Sequence, residues 1–199
     1  MVKISEKQKS IIVGTLLGDG YIYKDKYGGC RLEIKHSNSQ KDYVFWLHNN
    51  LNNICPGIPK QRKDNFQWKF NTESNNDLIE IYNLFYGSGF KKIPENISDI
   101  LTNVISLAVW FMDDGSIDYR PKSHYAFKIN TNAFRLEECK ILSETLYRNF
   151  VIVSSVNNTL CRGKRYPGVY IGKKGRDRFL ELIRPHIIPC FKYKLPSHL

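Results

Sequence analysis

Two segments of this chain carry nearly the same pattern: Ile12-Val13-Gly14-Thr15-Leu16-Leu17-Gly18-Asp19-Gly20 and Leu107-Ala108-Val109-Trp110-Phe111-Met112-Asp113-Asp114-Gly115. Each is an apolar helical run that stops on an acid followed by glycine, and the terminal acids Asp19 and Asp114 lie 95 residues apart in a chain of 199. Such a pair predicts a duplication, with halves at residues 1–100 and 101–199. A carboxylate at a helix C-terminus faces the negative pole of the macrodipole, which costs a few tenths to about 1 kcal/mol unless a cation offsets it. Two acids at equivalent repeat positions therefore predict that they meet and share positive charge, most simply divalent metal ions.

The segments between the motifs follow one order twice. Ser5 and Gln8 predict a capping box that opens the first motif helix. Arg31, Glu33, Lys35 and Ser37 alternate with Leu32, Ile34 and His36, the period of a strand with one charged and one apolar face. A helix is predicted from Asp42 to Asn53, then a strand pair around Lys60, Arg62 and Lys63, with Phe66, Trp68 and Phe70 alternating with Gln67, Lys69 and Asn71. A helix from Asn76 to Tyr86 closes the first half. The second half repeats this from Val104 to Met112, through a strand over Tyr125–Thr131, a helix Arg135–Phe150, strands near Val151–Asn157 and Tyr166–Ile171, and a helix about Gly175–Arg184. The expected fold is α+β, two αββαββα halves with antiparallel sheets. Lys92-Ile93-Pro94 and Lys194-Leu195-Pro196 close the two halves with related tripeptides.

Charge narrows the partners. The net charge is +11, with 14 basic against 11 acidic residues up to position 100 and 16 against 8 after it. The excess belongs to the folded body rather than to a tail, and it points to a polyanion, above all nucleic acid. The five cysteines form no C-x-x-C pair, and no histidine stands at zinc-ligand spacing, so reduced structural thiols in an intracellular protein are expected. The five histidines form no metal or nucleophile motif. No signal peptide or membrane-spanning stretch is legible, so no membrane partner is expected.

The two nine-residue runs resemble the LAGLIDADG signature, and from about residue 5 to 196 the chain is similar to two-motif, single-chain LAGLIDADG homing endonucleases. Ser106–Gly115 together with Tyr193-Lys194-Leu195-Pro196 is closest to the mitochondrial omega-intron endonuclease branch. The resemblance implies motif helices packed side by side on a pseudo-twofold axis, a DNA-binding saddle of two sheets, and Mg²⁺ held by Asp19 and Asp114, with Mn²⁺ able to substitute. Gly18 and Asp113 would lend backbone carbonyls to the metal, and with adjacent acids a shift of one between Asp113 and Asp114 stays open. Lys194 matches a family lysine near the active site, and its partner in the first half is Lys91 or Lys92. Gly14 and Gly18 supply the small residues a close helix crossing needs.

The resemblance further implies a monomer that cuts a long, nearly asymmetric duplex site, leaves short 3′ overhangs and serves intron mobility. An intron-encoded enzyme is the expectation. Candidate contacts to double-stranded DNA are Arg31, Glu33, Lys35, Lys60, Arg62, Gln67, Lys69 and Asn71 from the first half. The second half offers Arg120, Lys122, Lys128, Asn130, Arg162, Lys164 and Arg165. Arg and Lys suit guanine or phosphate, and Asn and Gln suit adenine. An intron RNA maturase of the same fold and a non-cleaving DNA-binding regulator are the competing readings.

Overall fold

The computed structural model of the chain describes residues 2–87, 89–120, 124–161 and 163–196, with the backbone alone at 159–161. The first half runs α1 (Glu6–Leu17), β1 (Tyr21–Lys24), β2 (Cys30–His36), α2 (Lys41–Leu51), β3 (Lys60–Gln61), β4 (Trp68–Asn71) and α3 (Asn76–Tyr86). After a one-turn helix α4 (Ile97–Ile100), the second half repeats the order. It runs α5 (Val104–Asp114), β5 (Gly115–Arg120), β6 (His124–Asn130), α6 (Leu136–Phe150), β7 (Ser155–Cys161), β8 (Lys164–Ile171) and α7 (Arg176–Ile183). The sheets have equivalent strand orders, β1-β2-β4-β3 and β5-β6-β8-β7, antiparallel throughout. Each consists of two hairpins joined through a helix, with the second strand of one hairpin paired to the second strand of the other.

The capping box forms as expected: Gln8 N–H donates to Ser5 Oγ at 3.3 Å and Ser5 N–H to Gln8 Oε1 at 3.0 Å. Helices α1 and α5 then cross at the centre of one continuous core that draws side chains from both halves. The crossing depends on missing atoms. A Cβ on Gly14 would sit 2.6 Å from the Ser106 carbonyl oxygen and 2.7 Å from Val109 Cβ, and one on Gly18 would sit 2.4 Å from Asp113 Cβ. Trp110, Phe111, Leu107 and Met112 are fully buried, so α5 is apolar on every side that the two halves enclose.

Several boundaries depart from the pattern in the sequence. Val151-Ile152-Val153 reads as the start of a strand, but Val151 caps α6 in the left-handed region (φ 58°) and Ile152 plugs the core, so β7 starts at Ser155. Phe66 continues the alternation of Trp68 and Phe70, yet it stands in the β3–β4 loop at φ 56° and is largely exposed. Strand β1, four residues long, is the first of the two strands the expected order places after α1, and its pattern was too short to give it bounds. The segment from Ile93 to Leu101 packs on the second half: Glu138 Oε1 accepts from Ile93 N–H, and Asn149 Nδ2 donates to the carbonyls of Ser98 and Leu101.

Candidate metal centre and nucleic-acid interface

The ends of α1 and α5 bring the two motif acids to the same place. Asp19 projects with its side chain about half exposed, whereas the Asp114 carboxyl is recessed. Burial, followed by the nearby Asp19 charge, pushes the Asp114 carboxyl up to about 7. A recessed carboxyl whose ionisation is opposed by a carboxylate beside it forms a ready site for a hard dication, which removes the penalty by binding to both.

The cations that offset the helix ends are lysines from the closing segments. Lys91 Nζ donates to the carbonyls of Gly18 at 2.8 Å and Gly20 at 2.9 Å, at the end of α1. Lys194 Nζ donates to Met112 O at 2.6 Å and lies 3.4 Å from the Phe111 and Asp113 carbonyls, at the end of α5. An ammonium on unpaired C-terminal carbonyls is the arrangement the macrodipole favours. Burial pulls Lys91 down to about 8 and lowers Lys194 as well, while the three acids pull in the opposite direction.

These positions settle which first-half lysine reaches the centre. It is Lys91. Lys92, which the tripeptide register selects, uses its backbone N–H to bond Phe85 O at 2.8 Å, and its ammonium makes no equivalent contact with the motif carbonyls.

Asp113 occupies the place equivalent to Gly18, and its carboxylate crosses the axis. Oδ2 accepts from the Asp19 backbone N–H at 3.2 Å, and Oδ1 accepts from Tyr43 Oη at 2.7 Å. The side chain is wholly buried, and burial raises its pKa well above the usual carboxylate range, with Asp19 adding to the shift. Above it lies His36, the last residue of β2, with a side chain 2% exposed. His36 Nδ1 stands 3.7 Å from Asp19 Oδ2, and Nε2 stands 3.9 Å from Asp113 Oδ1.

The sequence pattern did not find His36 or Tyr43. His36 read as one more position on the apolar face of a strand, which it is, and the face happens to end at the motif acids. The five histidines form no metal motif in the sequence; in the fold His36 lies with Asp19 and Asp113 in the only His, Cys, Asp and Glu cluster of ligand spacing among the described residues.

The sheet faces turned from the core carry most of the proposed contacts. Register pairs Tyr23 with Arg31, Tyr21 and Asn71 with Glu33, and Lys69 with both Lys35 and Lys60, which places all eight on one face. Glu33 is shared between Arg31 (3.5 Å) and Lys35 (3.3 Å). Arg62 and Gln67 lie beyond the paired residues, and Arg62 bonds Asp64. In the second sheet Ser116, Lys128, Asn130, Tyr170 and Ser155 share the open face, and Asn130 Nδ2 reaches Asp114 O at 3.2 Å.

Arg120 and Lys164 fall on the same face by register, Arg120 near Asp118 at 3.9 Å. Arg165 pairs with Leu160 and so points to the opposite side from Lys164. Adjacent residues of a strand cannot share a face. Lys122 and Arg162 lie outside the described residues. The open-face tyrosines Tyr21 and Tyr23 are 47% and 39% exposed.

Known proteins agree with this geometry. The chain is 30% identical to the cytochrome b mRNA maturase bI2 of Saccharomyces cerevisiae, over 96% of this chain and 47% of that protein, so it spans about half the length of that relative. It is 30% identical to a probable intron-encoded endonuclease 1 of Wickerhamomyces canadensis, over 96% of this chain and 85% of that one. The structure of the homing endonuclease I-WcaI bound to its DNA recognition sequence superposes with a TM-score of 0.87 at 27% identity, covering 100% of this chain and 90% of that one. A profile of the LAGLIDADG DNA endonuclease family matches residues 9–179, from the first motif helix into α7. With both motif helices and both sheets inside that match, the chain belongs to the LAGLIDADG DNA endonuclease family.

Proposed function

We propose that the chain is a site-specific, intron-encoded endonuclease that cuts both strands of duplex DNA, working as an intracellular monomer and leaving short 3′ overhangs. The observation that carries the reading is the pair Asp19 and Asp114, delivered by two crossed helices between two open, basic sheet faces. One acid then serves each strand.

The donor set fits Mg²⁺, or Mn²⁺ in its place: two carboxylates and the Gly18 and Asp113 carbonyls are hard oxygen ligands. Such a cation supplies Lewis acidity at the scissile phosphate and lowers the pKa of a water molecule. The chain's own residues do the remaining work. Asp19 and Asp114 hold the centre in register with the two phosphates. Lys91 and Lys194, already fixed at the helix ends, place ammonium charge beside the phosphoryl oxygens as negative charge develops there. Arg31, Lys35, Lys60 and Lys69, with Arg120, Lys128 and Lys164, track the duplex, and Asn71 and Asn130 offer amide donors and acceptors to base edges.

The test exposes the protein to a randomised duplex library in Mg²⁺ and in Ca²⁺ and sequences cut ends and bound fragments. Defined double-strand cuts in Mg²⁺ are expected. Asp19→Asn and Asp114→Asn should each lower cutting by about 100-fold or more while retaining binding. Full cutting by either variant would overturn the metal assignment. Binding without cuts in any divalent metal would favour a regulator. Preference for intron RNA over duplex would favour a maturase, the activity in the name of the bI2 relative.

A further inference from the structure

We propose that Asp19, His36 and Asp113 form a second metal site, one that takes zinc or a similar borderline transition dication rather than Mg²⁺, and that filling it withdraws Asp19 from the proposed nuclease centre.

The site is built, not merely acidic. One ligand atom from each of the three residues lies within 4.8 Å of the other two. Zinc holds nitrogen and oxygen ligands at about 2 Å, so in a tetrahedral shell they stand about 3.3–3.6 Å apart. Nε2 stands 3.9 Å from Asp113 Oδ1 and needs only a small contraction there, whereas the 3.7 Å approach of Asp19 is to Nδ1, the other ring nitrogen, so the half-exposed Asp19 side chain must swing towards Nε2 to complete the shell.

His36 Nε2 is the decisive atom. It is buried, has no hydrogen-bond partner, and faces Asp113 Oδ1. A buried imidazole nitrogen without a partner carries an uncompensated cost that a metal ion removes. Tyr43 Oη already fixes the Asp113 carboxylate at 2.7 Å, which is the orienting contact that ligating carboxylates ordinarily have. Asp19, the half-exposed member, is the entrance and leaves a coordination position open to solvent.

Ligand chemistry separates this site from the proposed nuclease centre. Carboxylates and carbonyls alone suit Mg²⁺, whereas an imidazole shifts preference towards zinc, cobalt and nickel. The two sites share the Asp19 carboxylate, and Asp113 lends its carbonyl to one and its carboxylate to the other. A zinc ion on His36 turns the Asp19 carboxylate towards β2, so zinc and Mg²⁺ oppose each other although they occupy different positions.

Calorimetry on the full, chelator-treated chain without DNA tests the site directly. Wild type is expected to bind one zinc ion, Asp114→Asn to retain it, and His36→Phe to lose it. Phe keeps the ring that packs on Tyr43 at 5.0 Å. Loss in Asp114→Asn with retention in His36→Phe would place zinc on the motif acids and overturn the proposal, as would no binding by wild type.

A measurement on the wild-type chain guards against a variant that does not fold. Cobalt is expected to give the intense visible absorption of a four-coordinate site containing nitrogen, displaced by zinc. The weak spectrum of six oxygen ligands would refute the site. The inhibitory consequence rests on the nuclease reading: zinc should slow Mg²⁺-dependent cutting without releasing DNA, and the ratio of rates with and without zinc should approach one in His36→Phe. Zinc binding at His36 in a chain that cuts no DNA would overturn the nuclease reading and leave the site standing.

Discussion

The Asp114 carboxyl, raised to about 7 by burial and by Asp19, is about half protonated in neutral, metal-free protein. Its folded pKa lies above the unfolded value of about 3.9, so the folded state binds the proton more tightly. The resulting stability is fully present below about pH 4 and is lost as pH rises through about 7. Asp113, shifted in the same direction, adds to the trend. Chelator-treated wild type should therefore lose more melting temperature between about pH 5 and 7 than Asp114→Asn does, because His36, whose pKa burial lowers, gives both proteins the opposite slope, and Mg²⁺ should raise the melting temperature more at pH 8 than at pH 6. Parallel profiles for the two proteins would contradict this account. The lysines give a second comparison. Because Lys91 and not Lys92 contacts the motif carbonyls, Lys91→Met should reduce cutting by about tenfold or more with binding intact, and Lys92→Met should cut like wild type. Equal strand-cutting rates for the two variants would remove Lys91 from its proposed role.

At the scale of elements, the close approach of α1 and α5 is where packing leaves least freedom. Gly14→Val drives a branched side chain into the Ser106 carbonyl and Val109, and should cost about 1–3 kcal/mol, read as a shift in denaturant midpoint. An unchanged midpoint would mean that the helices separate without penalty. Both motif helices were legible because their signals are local: Ser5 and Gln8 for the start of α1, the apolar run from Val104 for α5, and acid followed by glycine for both ends. Signals that depend on distant partners were not. Val151-Ile152-Val153 has strand composition, but the cap of α6 takes Val151 and the core takes Ile152. His36 belongs by period to an apolar face, and only the arrival of α5 from a segment far along the chain turns it into a neighbour of Asp113.

For the whole molecule, part of the +11 charge lies on two sheet faces, and the register shows which cations share one. Binding to duplex DNA should weaken with salt, each phosphate contact contributing about −0.9 to the slope of log affinity against log salt. Lys35→Ala and Lys60→Ala should each reduce that slope by about 1, and Arg165→Ala, on the opposite side, should leave it unchanged. A loss of slope in Arg165→Ala equal to that of Lys35→Ala would show that the register does not decide contact. The duplication itself was legible from the repeated motif, and the sheet orders repeat it strand for strand. Its divergence has a consequence for recombining the halves. Gly14 makes room for Val109, and Gly18 makes room for Asp113. Two first halves would meet glycine to glycine and leave a void on the axis, whereas two second halves would set valine against valine and one buried carboxylate against another. Each half has become the other's obligate mould, so a symmetric chimera must be redesigned at those four positions before its sheets have a common frame.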